Sequence, residues 1–399
     1  MKVAWIGPYD VMSVAHRMDQ EFTSPFHPAT WIRNAALALA ERDDVELHIL
    51  MHDKRFARDY RFEEHGLHFH FFRAPIPQIP RPVALYQLDR WKFIRELRTI
   101  RPEIVHGHGT ENLFSYVAVT SGYPHVVSIQ AVIAHLLKQY RRLSRRALEH
   151  LIVQFVERYT VKRAENFIIK APFAEEFVRS LNPTARIFLL ENIVHEVFFD
   201  LTRSVGGGPR KIIFIGTLIN TKGVEDLVRS FHQVAGKHPD TELHLMGTGT
   251  ESYVQGVLKP LIEQGPGRVV LRGHVPSQDI AREFIDAAIV ALPSYFETSP
   301  NVIAEAMVAG VPVIGTDVGG IPFMIEHNVT GQIVPVRDVS RLTEALERYL
   351  EHPEMARSHA EAGQLQARNR YGRQRYIESL LGIYQSILEH SQRQNRGNQ

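Results

Sequence analysis

Residues Pro293 to Pro312 read P-S-Y-F-E-T-S-P-N-V-I-A-E-A-M-V-A-G-V-P and follow the apolar run Ile289 to Leu292. The run is strand-like. Ser299 is a candidate N-cap, Pro300 suits a first helical turn, and Gly310 suits the left-handed position that ends a helix before Val311 and Pro312 extend again. The stretch therefore predicts a strand, a loop and a helix of about ten residues, with Glu297 in the loop and Glu305 in mid-helix. A helix N-terminus at the carboxyl end of a parallel strand presents free N–H groups and a partial positive charge, the surroundings that bind a pyrophosphate. Carboxylates nearby can accept hydrogen bonds from sugar hydroxyls. By spacing alone, however, the two glutamates read as a solvated loop acid and an exposed helix position, the usual fate of glutamate.

Working outward, short β-branched runs alternate with segments of helical period, the pattern of βα units on a parallel sheet. Val3 to Gly7, Val45 to Met51, Ile104 to Gly107 and Val126 to Ile129 predict strands, and a helix starting near Pro28 turns Ile32, Ala36, Leu39 and Ala40 inward. The pattern restarts with strand Ile212 to Gly216, helix Val224 to Val234 and strand Glu242 to Gly247. Between the two series, Asp200 to Pro209 (D-L-T-R-S-V-G-G-G-P) has the glycines and proline of a linker. Two domains are expected, 1–204 and 205–370. Tyr371 to Leu388 has helical period, and polar Ser391 to Gln399 predicts a disordered tail.

A chain of 399 residues with 44% hydrophobic and 23% charged residues fits two globular cores with a cleft between them. Net charge is only +2, so no whole-protein field argues for nucleic acid. The absence of cysteine removes disulfides, thiolate metal sites and cysteine nucleophiles, and suits a cytoplasmic address. No signal-peptide pattern follows the first strand, and no apolar window reaches the length of a spanning helix.

Several motifs in order carry a resemblance. Glu297 and Glu305 are separated by seven residues, with Pro300 and Asn301 after the first glutamate. G-T-L-I-N-T-K-G occupies 216–223, L-M-G-T-G 245–249, R-G-H-V 272–275 and G-T-D-V-G-G-I-P 315–322. Together they resemble the donor signature of the GT-B glycosyltransferases of family 4. The resemblance implies two doubly wound Rossmann-like α/β domains with parallel sheets facing a central cleft, and helix 371–390 packing back on the first domain. It also implies a retaining transfer from a nucleoside-diphosphate sugar to an acceptor.

Carried over by position, Glu305 binds the ribose hydroxyls, Glu297 faces the transferred sugar, and the amides of Thr298, Ser299, Pro300 and Asn301 surround the diphosphate as far as each has an N–H. Lys222 neutralises that diphosphate. A fixed cation independently suits a leaving group that gains charge in the transition state. Gly216, Thr217 and Gly247 belong to strand-end turns at the donor, and the backbone at His274 and Val275 meets the base. Gly319 and Gly320 form a further turn. Two positions depart from the pattern: Thr217 stands where an arginine is common, and Gln130 in V-V-S-I-Q where a histidine is common. Glutamine keeps the hydrogen bonds and loses the proton. His108 is assigned to acceptor or water contact, and His106 and His108 lack the carboxylate spacing of a metal site.

There is no Asp-x-Asp motif, so metal-independent transfer with no cofactor is expected. A lapsed nucleotide-sugar-binding subunit and a nucleotide-sugar epimerase are the other readings compatible with this text. One segment stands apart. Leu136, Tyr140, Leu143, Ala147, Leu151, Phe155 and Tyr159 form an apolar stripe, and residues 138–163 hold eight Lys or Arg. A core helix with a solvated basic face and a helix resting on an anionic leaflet through Leu136 to Arg163 both fit.

Overall fold

In the computed structural model the described residues are 1–22, 29–74, 86–110, 113–130, 145–204 and 208–397; of 145–150, 395 and 397 only the backbone is described. The chain forms two α/β units, one of Met1–Glu191 with Tyr376–Gln399 and one of Asn192–Arg375.

The first unit holds strands β1 (Lys2–Ile6), β2 (Glu46–Asp53), β3 (Tyr60–Glu64), β4 (Leu67–Arg73), β5 (Ile104–His108), β6 (His125–Ser128), β7 (Asn166–Ile169) and β8 (Arg186–Leu189). Their order is β3-β4-β2-β1-β5-β6-β7-β8. All neighbours are parallel except the β3–β4 hairpin. Strands β1 and β5 are buried almost throughout, because helices cover both faces of such a sheet. Helices α1 (Thr30–Ala40), α2 (Gln87–Ile100), α3 (Leu113–Val119), α4 (Arg145–Arg163) and α5 (Phe173–Leu181) follow strands in the expected alternation. Ile32, Ala36 and Leu39 of α1 are buried as the periodicity predicts. Pro28 lies outside the described residues.

The second unit is a six-stranded parallel sheet, β9 (Arg210–Ile215), β10 (Thr241–Met246), β11 (Arg268–Gly273), β12 (Ala287–Leu292), β13 (Val313–Thr316) and β14 (Gln332–Val334). The order β11-β10-β9-β12-β13-β14 is that of a dinucleotide-binding sheet. Helix α6 (Val224–Lys237) shows how the pattern folds locally: Val224, Leu227, Val228, Phe231, Val234 and Ala235 recur at helical spacing and all enter the core. Then come α7 (Ser277–Phe284), α8 (Asn301–Val308), α9 (Val339–Glu351) and α10 (Pro353–Tyr371).

The units divide at Glu191, upstream of the glycine-rich segment. Residues after Asn192 already bond to the second unit: Asn192 Nδ2 donates to Asn301 Oδ1 at 3.0 Å, the Ser204 amide to the Ile285 carbonyl at 2.9 Å, and the Arg203 guanidinium to the carbonyls of Gly310 and Ala287. Composition marks the glycines, but hydrogen bonding draws the boundary. Residues 205–207 of that segment lie outside the described residues.

The last helix, α11 (Arg373–Gly397), corrects the expectation of a disordered tail from Ser391, because it continues to Gly397. One exposed polar turn after another can extend a helix already nucleated by packing. The packing is with the first unit. Trp5 Nε1 donates to the Tyr384 hydroxyl at 2.8 Å, that hydroxyl donates to His106 Nδ1 at 2.7 Å, and His106 Nε2 donates to Ser128 Oγ at 2.7 Å. An indole nitrogen only donates, and the direction given for the other two bonds is the one that also satisfies the buried hydroxyl proton of Tyr384.

Candidate functional site

In the second sheet the strand order reverses between β9 and β12, and ligands of open α/β sheets bind beyond the carboxyl ends of strands at such a point. The loops leaving those two strands are Gly216–Gly223 and Pro293–Pro300. They carry Lys222 and Glu297, which meet: Nζ lies 2.5 Å from Glu297 Oε1. Ser294 Oγ donates to the same oxygen at 2.8 Å. The pair is partly exposed, Lys222 at 28% and Glu297 at 11% of the side chain, so the ammonium stays within reach of an incoming anion.

Backbone bonds hold the loops at this spacing. The Tyr295 amide donates to the Thr221 carbonyl at 2.9 Å, Thr316 Oγ1 to the Ser294 carbonyl at 2.6 Å, and the Gly320 amide to the Glu297 carbonyl at 3.0 Å. Gly319, with φ +55°, presses on the Glu297 backbone so closely that a Cβ would collide with its carbonyl oxygen. The G-G turn therefore braces Glu297. Gly247, at φ +145°, presses in the same way on the Gly216 carbonyl and keeps the β9 and β10 turns together.

Helix α8 starts at Asn301, one residue later than expected, and Pro300 rather than Ser299 is its N-cap. Ser299 does not cap, its Oγ lying 4.0 Å from Met324 Sδ. The extended Pro300, φ −70° and ψ 117°, turns the chain into the helix, so no side chain covers the first amides. Thr298 and Ser299 are half-buried and Pro300 is buried.

Glu305 lies on α8 with only part of its surface exposed and no ion pair among the described residues. Burial pushes its carboxyl up to about 7. Desolvation is the cause, since burial disfavours the charged form. The expected solvated helix position is thus a partly buried carboxyl on a helix whose neighbouring residues Ile303, Ala304, Ala306 and Met307 are all buried.

The remaining donor positions follow β9 and β11 of the same sheet. Gly216 donates its amide to the Met246 carbonyl at 3.0 Å, and Thr217 is exposed. His274 and Val275 line a cavity of about 390 Å³ with Arg272, Pro276, Asp279, Arg282 and Glu283. Sequence reading missed Ser294. Its only signal was a hydroxyl three residues before Glu297, a spacing without meaning until the loop curls.

His108 and Gln130 lie in the first unit, at the carboxyl ends of β5 and β6. His108 is 4% exposed, stacks on His106 at 3.9 Å, and has Nε2 enclosed without a hydrogen-bond partner. Burial, then the Lys170 charge, pushes it down to about 3, so its ring is neutral. Gln130 Nε2 is also enclosed and unpartnered. Among the described residues one group has ligand atoms spaced for a metal, Glu46, His48 and His68. His48 there already engages Glu46 at 2.9 Å and His70 at 3.0 Å. Of the basic stripe, Leu136, Tyr140, Leu143, Lys138, Arg141 and Arg142 lie outside the described residues. Among the described residues no helix is long and apolar enough to cross a membrane.

Residues 28–192 match the glycosyl transferase 4-like domain and residues 209–352 the glycosyl transferases group 1 model. A glycogen synthase of Mycobacterium tuberculosis is 26% identical over 307 residues, 74% of this chain and 71% of that protein. Among solved structures, sucrose-phosphate synthase from Thermosynechococcus elongatus superposes with TM-score 0.79 at 18% identity, over 98% of this chain and 99% of that one. HepE from Anabaena, in complex with UDP-glucose, gives 0.70 at 16%, over 98% and 99%. With one such model on each half and the two-sheet fold of these structures, the chain belongs to the GT-B glycosyltransferases of the family 4 type.

Proposed function

We propose that the chain transfers a sugar from a nucleoside-diphosphate sugar to an acceptor, with retention at the anomeric carbon and without a metal. The observation that carries this reading is the Lys222–Glu297 pair at the strand-order reversal, followed by a helix that starts without a side-chain cap and bears the partly buried carboxyl of Glu305. Each has a role in such a donor. The α8 amides and Lys222 meet the diphosphate, Glu305 accepts the ribose hydroxyls, and Glu297 faces the sugar while orienting Lys222. The cavity at His274 and Val275 has room for a base.

In the transfer, the bond from the anomeric carbon to the β-phosphate oxygen breaks and the electron pair stays on that oxygen. The acceptor oxygen bonds to the carbon on the same face, and its proton passes to the leaving phosphate. Lys222 stabilises the charge that develops there, which is where a preorganised cation acts most strongly. With Thr217 in place of a second cation, that work falls on Lys222 and the amides. HepE is solved with UDP-glucose, which supports a uridine nucleotide among those to try. The acceptor belongs to the first domain in this reading, through His108 and Gln130.

The test is thermal unfolding with UDP, GDP and ADP and their sugars. A ligand at about 100 times its Kd adds about 2.7 kcal/mol, several degrees at this size. One nucleotide is expected to raise Tm and to lose that effect in Glu305→Ala; no shift with any of them overturns the donor assignment. Acceptor contact with a membrane is part of the same proposal. Leu151 and Phe155 of α4 stand 62% and 59% exposed, and Arg158 and Lys162 further along the same helix are exposed as well, which supports a basic amphipathic face held at an anionic surface.

A further inference from the structure

The first sheet has its own strand-order reversal, between β1 and β5, and on one side of it three polar residues lie at the carboxyl ends of the successive strands β5, β6 and β7. His108 ends β5. Gln130 lies two residues beyond Ser128 of β6, and Lys170 two residues beyond Ile168 of β7, and Ser128 and Ile168 are paired. Gln130 and Lys170 therefore extend adjacent strands by the same length. His108 is fixed from the other side by Gly7 of the β1 end, where a Cβ would collide with the His108 Cβ.

Lys170 is the unusual member. It is 4% exposed, yet among the described residues no carboxylate lies within ion-pair distance of it. Glu191 acts on it only as a more distant charge, His106 and His108 are neutral neighbours, and burial pushes the ammonium down to about 8, so it stays charged at neutral pH. A buried cation without a counter-ion at contact distance costs stability. Beside it, His108 Nε2 and Gln130 Nε2 are enclosed without a hydrogen-bond partner. Buried polar groups are ordinarily satisfied, so these two nitrogens beside a buried ammonium point to a ligand that satisfies them.

We propose that Lys170, Gln130 and His108 form an anion subsite in the first domain, which takes a carboxylate or phosphate group carried by the acceptor. The assignment to an acceptor rests on the transfer reading above; the subsite itself does not. A fixed ammonium supplies the charge, the Gln130 amide donates one hydrogen bond, and the His108 ring donates another through its Nε2–H tautomer. Neutral acceptors of the same size would leave the ammonium unpaired and are disfavoured for that reason.

The experiment is calorimetric titration of the full chain with glucuronate, glucose 6-phosphate, glucose and inorganic phosphate, using wild type, Lys170→Met and Lys170→Arg, with UDP titrated into the same samples. An anionic sugar is expected to bind at least about tenfold more tightly than glucose, to lose that margin in Lys170→Met, and to recover part of it in Lys170→Arg. Binding of the sugar phosphate above that of inorganic phosphate assigns the anion to an acceptor; equal binding assigns the subsite to the free anion. If neither anion binds, or if Lys170→Met binds them as wild type does, the proposal is overturned. Lys170→Met should fold at least as stably as wild type, since it removes an unpaired charge at constant volume. Loss of UDP binding in all samples would defeat the donor reading and leave the anion result standing.

Discussion

Lys222 and Glu297, 75 positions apart, are joined by a 2.5 Å ion pair that closes the loops of β9 and β12 over one point. Glu297 keeps Ser294 as a second partner, so losing either charge has unequal effects. Lys222→Ala should cut acceptor-dependent release of nucleoside diphosphate by about 10²- to 10³-fold, the range for removing one transition-state stabiliser, with a smaller loss in nucleotide affinity. Glu297→Gln, which keeps the shape and the Ser294 bond, should lower turnover with little change in Tm. A Lys222→Ala protein with wild-type turnover would remove the lysine from the chemistry.

Glu305 sets a pH dependence with a definite sign. Its folded carboxyl titrates near 7 against the usual 4.5. Because the folded state holds the proton longer, stability falls between those values as pH rises, and the penalty is constant above 7. Glu305→Gln should therefore gain about 3 kcal/mol of stability at pH 8 and nothing at pH 4. Nucleotide affinity should move the other way, rising through pH 7 as the carboxylate forms, and flattening in the variant. Melts and titrations across pH 5 to about 8 read both effects.

Gly319→Ala places a methyl group against the Glu297 carbonyl at a left-handed backbone angle. Relief requires the β12 loop to move and the Gly320 bond to break. A loss of about 2 kcal/mol in stability is expected, together with weaker nucleotide binding. Gly208→Ala, where a Cβ meets open space, should leave both unchanged and serves as the control.

Tyr384→Phe removes one oxygen and strands two buried partners, Trp5 Nε1 and His106 Nδ1. Each unsatisfied group costs about 1–3 kcal/mol, so the first unit should melt several degrees earlier while nucleotide-induced stabilisation of the second persists. Domain-resolved hydrogen exchange distinguishes the two. Equal loss in both units would show that Tyr384 supports more than the first sheet.

Sedimentation with anionic vesicles should recover the protein at low salt and release it at high salt, at about 1 kcal/mol per basic residue near the surface. Leu151→Ser with Phe155→Ser should abolish recovery without lowering Tm, since both side chains already face solvent. Binding indifferent to salt and to those substitutions would dismiss the α4 face.

The alternation of strands and helices is legible in the residue pattern, because buried parallel strands must be continuously apolar and their covering helices must repeat at 3.6 residues. Pro293 to Pro312 determined the loop and helix that bear Glu297 and Glu305, since proline and glycine act through local backbone geometry. Tertiary structure decided what local patterns do not contain. It joined Lys222 to Glu297, because their loops leave strands that become neighbours only in the sheet. Glu305 acquired its neutral-range acidity because burial belongs to its surroundings and not to its spacing. The helical end of the chain was carried past Ser391 by the packing of α11, with Tyr384 locked onto Trp5 and His106. Lys170, one residue past β7, carries no local pattern that marks it, and only the fold buries it with no carboxylate in ion-pair distance among the described residues.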